Sequence, residues 1–297
     1  MNRFPQTLEE LNSSFAPRFE TGEGGLPRAV LTHGESMAHV YTLGAHVAHY
    51  QAEGHEPLLW VSTQSHFEPG RPIRGGVPVC LPWFAEHQDR PDLPLHGFAR
   101  TRMWRVVQAA TPSTITLELE SDADSLAIWP YHFLFRMTVT LHEGLAMALT
   151  VENRNSESIT ITEALHSYFR VSDVRQVVVT GLEGVQYLSK PDHRSHSEQD
   201  PITIRSETDR VYVRTTSPCE LHDPGLNRRI VIAKVESAST VVWNPWIDKS
   251  RVMPDFGEQE WLKMLCIETA NALDDAVTIA ADESHTLGVN LSVHPLH

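Results

Sequence analysis

Short hydrophobic runs separated by clusters of turn-forming residues occur along most of the chain. They are rich in Val, Ile, Thr, Leu and aromatic residues, which is the composition of β-strands. Helical periodicity is scarce, and no segment supplies the ~10–15-residue helix that joins parallel strands. The pattern therefore predicts an all-β fold of mainly antiparallel sheets with few short helices. Strands are predicted at residues 38–43, 58–62, 103–109, 114–120, 133–141, 145–152, 177–179, 211–214, 230–235, 240–243, 276–280 and 287–293.

No Pro/Gly/Ser-rich linker and no fixed repeat divides these 297 residues. A large β-sandwich or barrel can use such a length as one unit. We therefore expect a single β domain over residues 21–297, preceded by an N-terminal segment, residues 1–20, with an amphipathic stretch from Thr7 to Phe15. The polar composition of residues 189–200 predicts a long exposed loop.

Two ionisable residues occur where the pattern predicts an apolar environment. Glu268 ends the run Met264-Leu-Cys-Ile-Glu-Thr-Ala270, and His166 lies within an alternating, half-buried strand pattern at residues 161–169. A carboxylate in low-dielectric surroundings must be paired, protonated or used chemically. The two side chains are therefore a candidate base and a candidate acid.

Two loops carry arginines beside glycines. Prolines and the pair Gly75-Gly76 surround Arg74, which suggests a backbone held close to its neighbours, although a turn with solvent-facing arginines fits equally well. His96 and Arg100 flank a second glycine, and His96 could donate to a ligand oxygen or serve as a structural residue.

The run Trp243-Asn244-Pro245-Trp246 ends a predicted strand. Tryptophan faces suit the apolar faces of sugars, and an Asn amide suits hydroxyl groups, although a tryptophan-rich corner of the core is an equally good explanation. We treat Asn244 and Trp246 as candidate sugar contacts.

Composition narrows the possible partners. A formal net charge of −14 argues against nucleic acid and anionic membranes, whereas a small anionic ligand needs only two or three local cations. The first 20 residues lack the features of a secretion signal, and three scattered cysteines fit a reducing compartment, so we expect a cytoplasmic protein without a structural metal or other cofactor.

Six segments resemble one family, in family order. They are Ile73-Arg74-Gly75-Gly76, His96-Gly97-Phe98-Ala99-Arg100, Leu165-His166-Ser167-Tyr168-Phe169, Thr208-Asp209-Arg210-Val211-Tyr212, Trp243-Asn244-Pro245-Trp246 and Cys266-Ile267-Glu268-Thr269-Ala270-Asn271. Together they resemble the hexose-6-phosphate mutarotases, or glucose-6-phosphate 1-epimerases, of the aldose 1-epimerase superfamily.

The resemblance implies the large antiparallel β-sandwich of galactose mutarotases, a monomer, and a sugar phosphate as substrate. It implies that His166 is the general acid and Glu268 the general base, with the imidazolium and the carboxylate as their starting forms. Arg74 and Arg100 would contact ligand and phosphate, and Asp209 would bind the sugar. The chain has Leu95 where family members carry Gln, which removes an amide that binds a hydroxyl.

Three alternatives use the same residues. A sugar-binding protein could keep the sandwich without turnover. A metal-dependent β-sandwich or cupin-like enzyme could use the crowded histidines His33, His39, His46, His49 and His55. A glycosidase could pair Glu268 with Asp209.

Overall fold

Antiparallel strands make up most of the structure, a computed structural model that describes residues 6–296. The α-helices are α1 (Leu8–Ser14), α2 (Ala123–Ile128) and α3 (Trp246–Val252). The strands are β1 (Arg18–Thr21), β2 (Pro27–His33), β3 (Ser36–Tyr41), β4 (His46–Gln51), β5 (Val79–Cys80), β6 (Arg105–Thr111), β7 (Thr114–Glu120), β8 (Phe133–Leu141), β9 (Leu145–Asn153), β10 (Ile159–Ile161), β11 (Glu163–Leu165), β12 (Tyr168–Arg170), β13 (Val178–Thr180), β14 (Gln186–Ser189), β15 (Arg194–Ser197), β16 (Thr208–Val213), β17 (Cys219–Asp223), β18 (Arg228–Val235), β19 (Ser239–Asn244), β20 (Met264–Asn271), β21 (Val277–Ile279) and β22 (Ser284–Pro295).

Two eight-stranded sheets dominate the architecture. One has the order β15-β14-β16-β19-β20-β11-β5, with β12 also paired to β20, and the other has the order β13-β17-β18-β22-β9-β8-β7-β6. A four-stranded sheet of β1 to β4 and the pair β10-β21 complete the strands. The predicted all-β sandwich of antiparallel sheets with few short helices is confirmed.

One continuous hydrophobic core contains side chains from both large sheets. Ile267 of β20, Leu149 of β9 and Leu287 of β22 are all fully buried in it. Every residue of β20 is buried, so both faces of this central strand are covered. A strand covered on both faces reads as a continuous apolar run, and this arrangement places the polar Glu268 in the protein interior.

Most predicted strands are present, two of them, β7 and β8, at the predicted bounds. Residues 58–62 form only isolated bridges, such as Leu59 with Phe169, because they run between irregular segments. The predicted loop at 189–200 is wrong, since β14 and β15 pair there as a hairpin. All four residues of β15 are exposed, and an edge strand can pair through its backbone without any apolar signal.

The N-terminal amphipathic stretch forms α1. Thr7 caps it in a capping box with Glu10, and Leu11 is buried in the core. Strand β1 follows and pairs with β2, so the expected boundary at residue 20 lies inside a strand. No helix within residues 6–296 is long and apolar enough to cross a membrane.

Candidate active site

His166 and Glu268 meet in the interior of the sheet that contains β20. Their closest approach, from the imidazole Nε2 to the carboxylate Oε1, is 3.3 Å. The side chain of Glu268 is 1% exposed and that of His166 is 8% exposed. The structure therefore brings together the two residues that the sequence singled out as acid and base.

Strand register explains which other side chains join them. Tyr168 of β12 and Trp243 of β19 both pair with Cys266 of β20, and Asp209 of β16 pairs with Trp243. Directly paired residues project to the same face of a sheet, and residues two apart along a strand do so as well. Cys266 therefore shares a face with Glu268, and this row continues to Asp209.

A close backbone approach fixes the segment that carries His166. The amide of His166 donates to the Pro78 carbonyl at 3.1 Å, and that of Tyr168 donates to the Gly76 carbonyl at 2.9 Å. Gly76 has a φ of +61°, and a Cβ added there would lie 2.4 Å from the Val47 carbonyl oxygen. Only glycine fits this position. The close backbone approach that the sequence suggested for Gly75-Gly76 is present at Gly76.

Aromatic rings surround the imidazole of His166. It stacks on the Tyr168 ring with 4.7 Å between centroids and 8° between planes. Trp243 and His96 meet it edge-on, at 6.1 and 5.6 Å. These contacts fix the orientation of the imidazole and remove it from bulk water.

Burial shifts both members of the pair toward their neutral forms. Desolvation first, and then the charges of Arg100 and Arg74, hold the pKa of His166 well below its usual value near 6.5. Desolvation, together with the charge of Asp209, holds the pKa of Glu268 well above its usual value near 4.5. The expected starting forms, an imidazolium and a carboxylate, are therefore not those that the unliganded environment favours.

Arg74 is anchored by two polar neighbours. Its Nε donates to the Asp255 carboxylate at 3.1 Å, and its Nη1 donates to the Tyr168 hydroxyl at 2.9 Å. These contacts raise the pKa of Arg74 and outweigh the opposite effect of burial. The guanidinium is thus held beside the ring that stacks on His166, and it is not a freely solvated loop arginine.

Arg100 and His96 occupy one tight turn. Gly97 has a φ of +70°, and a Cβ added there would lie 2.1 Å from the Leu81 carbonyl oxygen. Arg100 donates to the Leu95 carbonyl at 2.7 Å, while its Nε is buried without a partner among the described residues. The Leu95 side chain is 49% exposed, so this position contributes through its backbone, which orients the arginine.

His96 has a tautomer defined by its surroundings. Its Nδ1 accepts from the Ala85 amide at 3.1 Å, so the proton of the neutral ring lies on Nε2. Burial, followed by the charge of Arg100, holds the pKa of His96 well below its usual value. The ring can therefore donate one hydrogen bond as a neutral group.

Lys190 is a cation near the site that the sequence did not single out. Its Nζ lies 5.4 Å from the centre of the Phe84 ring, and its backbone amide donates to the Asp209 carbonyl. Its positive charge lowers the pKa of His166, His96 and Asp209. Lys190 follows β14, in the hairpin of β14 and β15. The sequence predicts an exposed loop here, and such a prediction does not place Lys190 near His166.

Asp209 is mostly buried, with its side chain 14% exposed and its Oδ2 3.8 Å from the ammonium of Lys249. Desolvation raises the pKa of this carboxyl, although the charges of Lys190 and Lys249 oppose that shift. Its position in the row of β16, β19 and β20 keeps it a candidate sugar contact.

The structure corrects the expectation for Asn244. This side chain is fully buried, and its amide nitrogen donates to the backbone carbonyls of Trp261 and Met264 at 2.8 and 2.9 Å. Its Oδ1 accepts from the Trp246 amide. All of its hydrogen-bonding groups serve the start of α3 and the start of β20, so it stabilises this corner and has no donor left for a sugar hydroxyl.

Trp243, and not Trp246, is the tryptophan next to His166. The ring of Trp246 packs on Trp261 with 4.5 Å between centroids. Trp243 contacts the rings of both His166 and Tyr168. Trp243 lies on β19 and shares its sheet face with Asp209 and Cys266, whereas Trp246 lies beyond the end of that strand, at the start of α3.

The crowded N-terminal histidines do not converge as metal ligands. Within residues 6–296, the one set of three or more Cys, His or acidic side chains with donors close together is His166, Cys266 and Glu268. His39 and His49 stack on each other, and burial lowers the pKa of His39 to about 4.

Two open surface depressions, of about 300 and 460 Å³, are lined by residues other than His166 and Glu268. The smaller one includes Thr208 and Arg210, whose side chains project to the opposite face of β16 from Asp209. The chemistry of the buried pair, and not open volume, therefore marks the candidate active site.

An antiparallel sandwich that encloses an imidazole–carboxylate pair among aromatic rings and cations is suited to proton transfer on a polar, ring-shaped substrate. Comparison with known protein families identifies the class of enzyme. The family described as aldose 1-epimerase matches residues 27–292, and the chain belongs to that family, whose members are isomerases that act on carbohydrates.

Individual relatives agree with this assignment. A protein of Cenchrus ciliaris, named as a candidate glucose-6-phosphate 1-epimerase, is 35% identical over 96% of this chain and 90% of its own length. An Escherichia coli protein with the same name is 33% identical, with 82% of each chain covered. The crystal structure of a candidate mutarotase from Salmonella typhimurium has a TM-score of 0.86 and 29% identity, with 94% of each chain covered.

Proposed function

We propose that the protein interconverts the α and β anomers of a hexose 6-phosphate, with glucose 6-phosphate as the main substrate. The observation that carries this proposal is the buried contact of 3.3 Å between His166 and Glu268, beside Arg74, Arg100 and Lys190. The names of the relatives from Cenchrus ciliaris and Escherichia coli support the same substrate. We also propose a cytoplasmic, monomeric enzyme, on the sequence arguments given above.

The reaction needs two coupled proton transfers. Glu268 takes the proton of the anomeric hydroxyl while His166 gives a proton to the ring oxygen, and the C1–O5 bond opens to a free aldehyde. Rotation about C1–C2 presents the other face of the carbonyl group. The same two groups then act in reverse and close the ring, so protons and electrons balance without a redox step.

The neutral pair and the reactive ion pair contain the same number of protons. A neutral imidazole with a protonated carboxyl becomes an imidazolium with a carboxylate by moving one proton between the two groups. Arg74 and Arg100 disfavour the imidazolium in the unliganded protein. A bound phosphate dianion would offset these positive charges, so we propose that the substrate itself favours the reactive form.

The phosphate supplies binding energy at a distance from the reacting bonds. In this proposal Arg74, Arg100 and Lys190 bind the phosphate, and the buried, unpartnered Nε of Arg100 supplies one of the donors. Asp209 and the Nε2–H of His96 bind sugar hydroxyls, and Trp243 packs against the apolar side of the ring.

Polarimetry of freshly dissolved α-glucose 6-phosphate tests the proposal. The wild-type protein should accelerate the approach to anomeric equilibrium, while Glu268→Gln and His166→Gln should each lower the catalysed rate by about 10²–10⁴-fold. Circular dichroism and thermal unfolding would establish that both variants fold. Near-normal turnover by folded Glu268→Gln would refute the assignment, and saturable sugar-phosphate binding without acceleration by the wild type would indicate a binding protein instead.

A further inference from the structure

Cys266 is a third potential ligand beside the acid–base pair, and the proposed reaction does not use it. It lies two residues before Glu268 on β20, and this spacing places both side chains on the same face. One donor atom from each of His166, Cys266 and Glu268 lies within 4.8 Å of the other two. All three residues are buried, so this is a formed cluster and not a chance surface grouping.

Two atoms of this cluster have unused bonding capacity. The Nδ1 of His166 and the Oε2 of Glu268 are buried without a hydrogen-bond partner among the described residues. Buried polar atoms are normally satisfied, so these two atoms are available to a ligand that enters the cluster. A sugar hydroxyl can fill this role, and so can a cation that accepts lone pairs from nitrogen, oxygen and sulfur.

The three ligand types select the class of cation. Imidazole, thiolate and carboxylate are the ligands of Zn²⁺, and three protein ligands with an open fourth position form its common reactive coordination. Mg²⁺ and Ca²⁺ prefer oxygen ligands and gain little from a thiol. Ligands around tetrahedral zinc lie ~3.3–3.6 Å apart, so the cluster needs to contract by about 1 Å, within reach of side-chain rotation.

We propose that His166, Cys266 and Glu268 form an inhibitory site for a thiophilic divalent cation such as Zn²⁺ or Cd²⁺. The cation occupies the acid and the base together and excludes the sugar. Binding displaces to solvent the proton of the Cys266 thiol and the proton held by the His166–Glu268 pair. The positive charges of Arg74, Arg100 and Lys190 oppose the cation, so we expect an affinity in the micromolar range, below that of a dedicated zinc enzyme.

Inhibition kinetics test the ligand set. Mutarotation is followed by polarimetry, which needs no coupling enzyme, at increasing concentrations of Zn²⁺, Cd²⁺ or Mg²⁺ alone. With the sugar well below its KM and Zn²⁺ at about ten times its dissociation constant, the wild-type rate should fall to about a tenth, while Mg²⁺ has little effect. Each variant is compared with its own rate in the absence of metal.

Cysteine variants give matched controls. Cys266→Ser should lose most of the sensitivity to Zn²⁺, whereas Cys219→Ser, which changes a buried thiol of the other large sheet, should keep it. Cys80→Ser tests the second thiol of the site sheet and should also keep it. Wild-type sensitivity in Cys266→Ser, or equal loss in Cys80→Ser, would overturn the assignment.

Co²⁺ spectroscopy gives a readout that does not depend on activity or on the identity of the sugar. Wild-type protein titrated with Co²⁺ should show a thiolate-to-cobalt charge-transfer band in the near ultraviolet, and Cys219→Ser should show the same band. Cys266→Ala should lack it. Absence of the band in wild-type protein would sink the proposal even if the epimerase activity is established, and its presence would support the site even if the sugar assignment fails.

Discussion

The guanidinium of Arg74 donates a hydrogen bond of 2.9 Å to the hydroxyl of Tyr168. Tyr168 in turn stacks on the imidazole of His166, so one aromatic ring lies between a candidate phosphate ligand and the candidate general acid. An anion that moves Arg74 would therefore act on the group that donates the proton. The contacts of Tyr168 therefore connect the binding of phosphate at Arg74 with the proton transfer by His166.

Tyr168→Phe should separate binding of the phosphate from binding of the sugar. The change removes the hydroxyl that orients Arg74 and keeps the ring that stacks on His166. Because a hydrogen bond to a charged group contributes about 1.5–3 kcal/mol, we expect about a tenfold or larger loss of kcat/KM on glucose 6-phosphate. The loss on free glucose should be much smaller.

Tyr212→Phe is the matched control for this experiment. Its hydroxyl also accepts from an arginine, Arg210, at 3.3 Å, on the opposite face of the strand that carries Asp209. It should leave the preference for the phosphorylated sugar unchanged. An equal loss on both sugars in Tyr168→Phe would show that the hydroxyl has no part in recognising the phosphate.

Lys190→Met should weaken binding of the phosphorylated sugar. Methionine keeps much of the packing against Phe84 and removes the charge that acts on His166 and Asp209. Because the side chain is half-buried and partly screened, we expect KM for glucose 6-phosphate to rise by about 3- to 10-fold.

Lys263→Met, which removes an exposed lysine just before β20, is the control for charge alone. It should leave KM for both sugars near the wild-type value. A similar rise in KM for glucose 6-phosphate in this variant would show that overall charge, and not the position of Lys190, causes the effect.

The sequence predicted much of the fold because its regular strands alternate cleanly. Strands β7 and β8 pack one face on the core, so a period of two appears directly in their residues. The strand prediction failed at β15, because all four residues of this strand are exposed and pair through the backbone. Edge pairing depends on a neighbouring strand and leaves no hydrophobic pattern.

The residues of the candidate site also differ in whether the sequence pattern reveals them. Glu268 and His166 could be found because each is an ionisable residue in an apolar pattern. Cys266 could have been found by strand alternation, since it lies two residues from Glu268 on the same face of β20. Tyr168 could not, because His166 lies between β11 and β12 and the two rings do not belong to one strand. Lys190 could not, because its position depends on the pairing of β14 with β16, which sequence patterns do not specify.

The dependence of turnover on pH should reflect a pair that holds one proton. Burial lowers the pKa of His166 and raises that of Glu268, so between these two values the pair is singly protonated. Activity should fall on the acid side, where the pair gains a second proton with the lowered pKa of His166, and on the alkaline side, where it loses its last proton with the raised pKa of Glu268. A plateau should lie between the two limbs.

Free glucose is the substrate for this measurement, because a phosphate group titrates near pH 6 itself. Lys190→Met removes a charge that lowers the pKa of His166, so its acid limb should move to higher pH. An acid limb in wild-type protein centred above pH 6.5 would contradict the neutral pair.

A second buried pair, Glu163 and His285, should control stability and not turnover. The Glu163 carboxylate is fully buried and lies 3.2 Å from the His285 Nε2. Contact with Glu163 raises the pKa of His285 above 6.5, and burial raises the pKa of Glu163. Both folded-state pKa values are raised, so both contributions to stability are present at low pH and are lost as the pH rises through the folded values.

His285→Gln should therefore destabilise the protein by about 3 kcal/mol near neutral pH, because it leaves a buried carboxylate without its cation. The double variant Glu163→Gln/His285→Gln removes the charge as well and should recover much of this loss. Urea unfolding on the acid and alkaline sides of pH 6.5 measures both effects. If the pair acts as described, the free energy of unfolding of the wild type decreases from the acid to the alkaline side, and the double variant shows a shallower slope. A wild-type stability that increases with pH across this interval would show that other groups dominate.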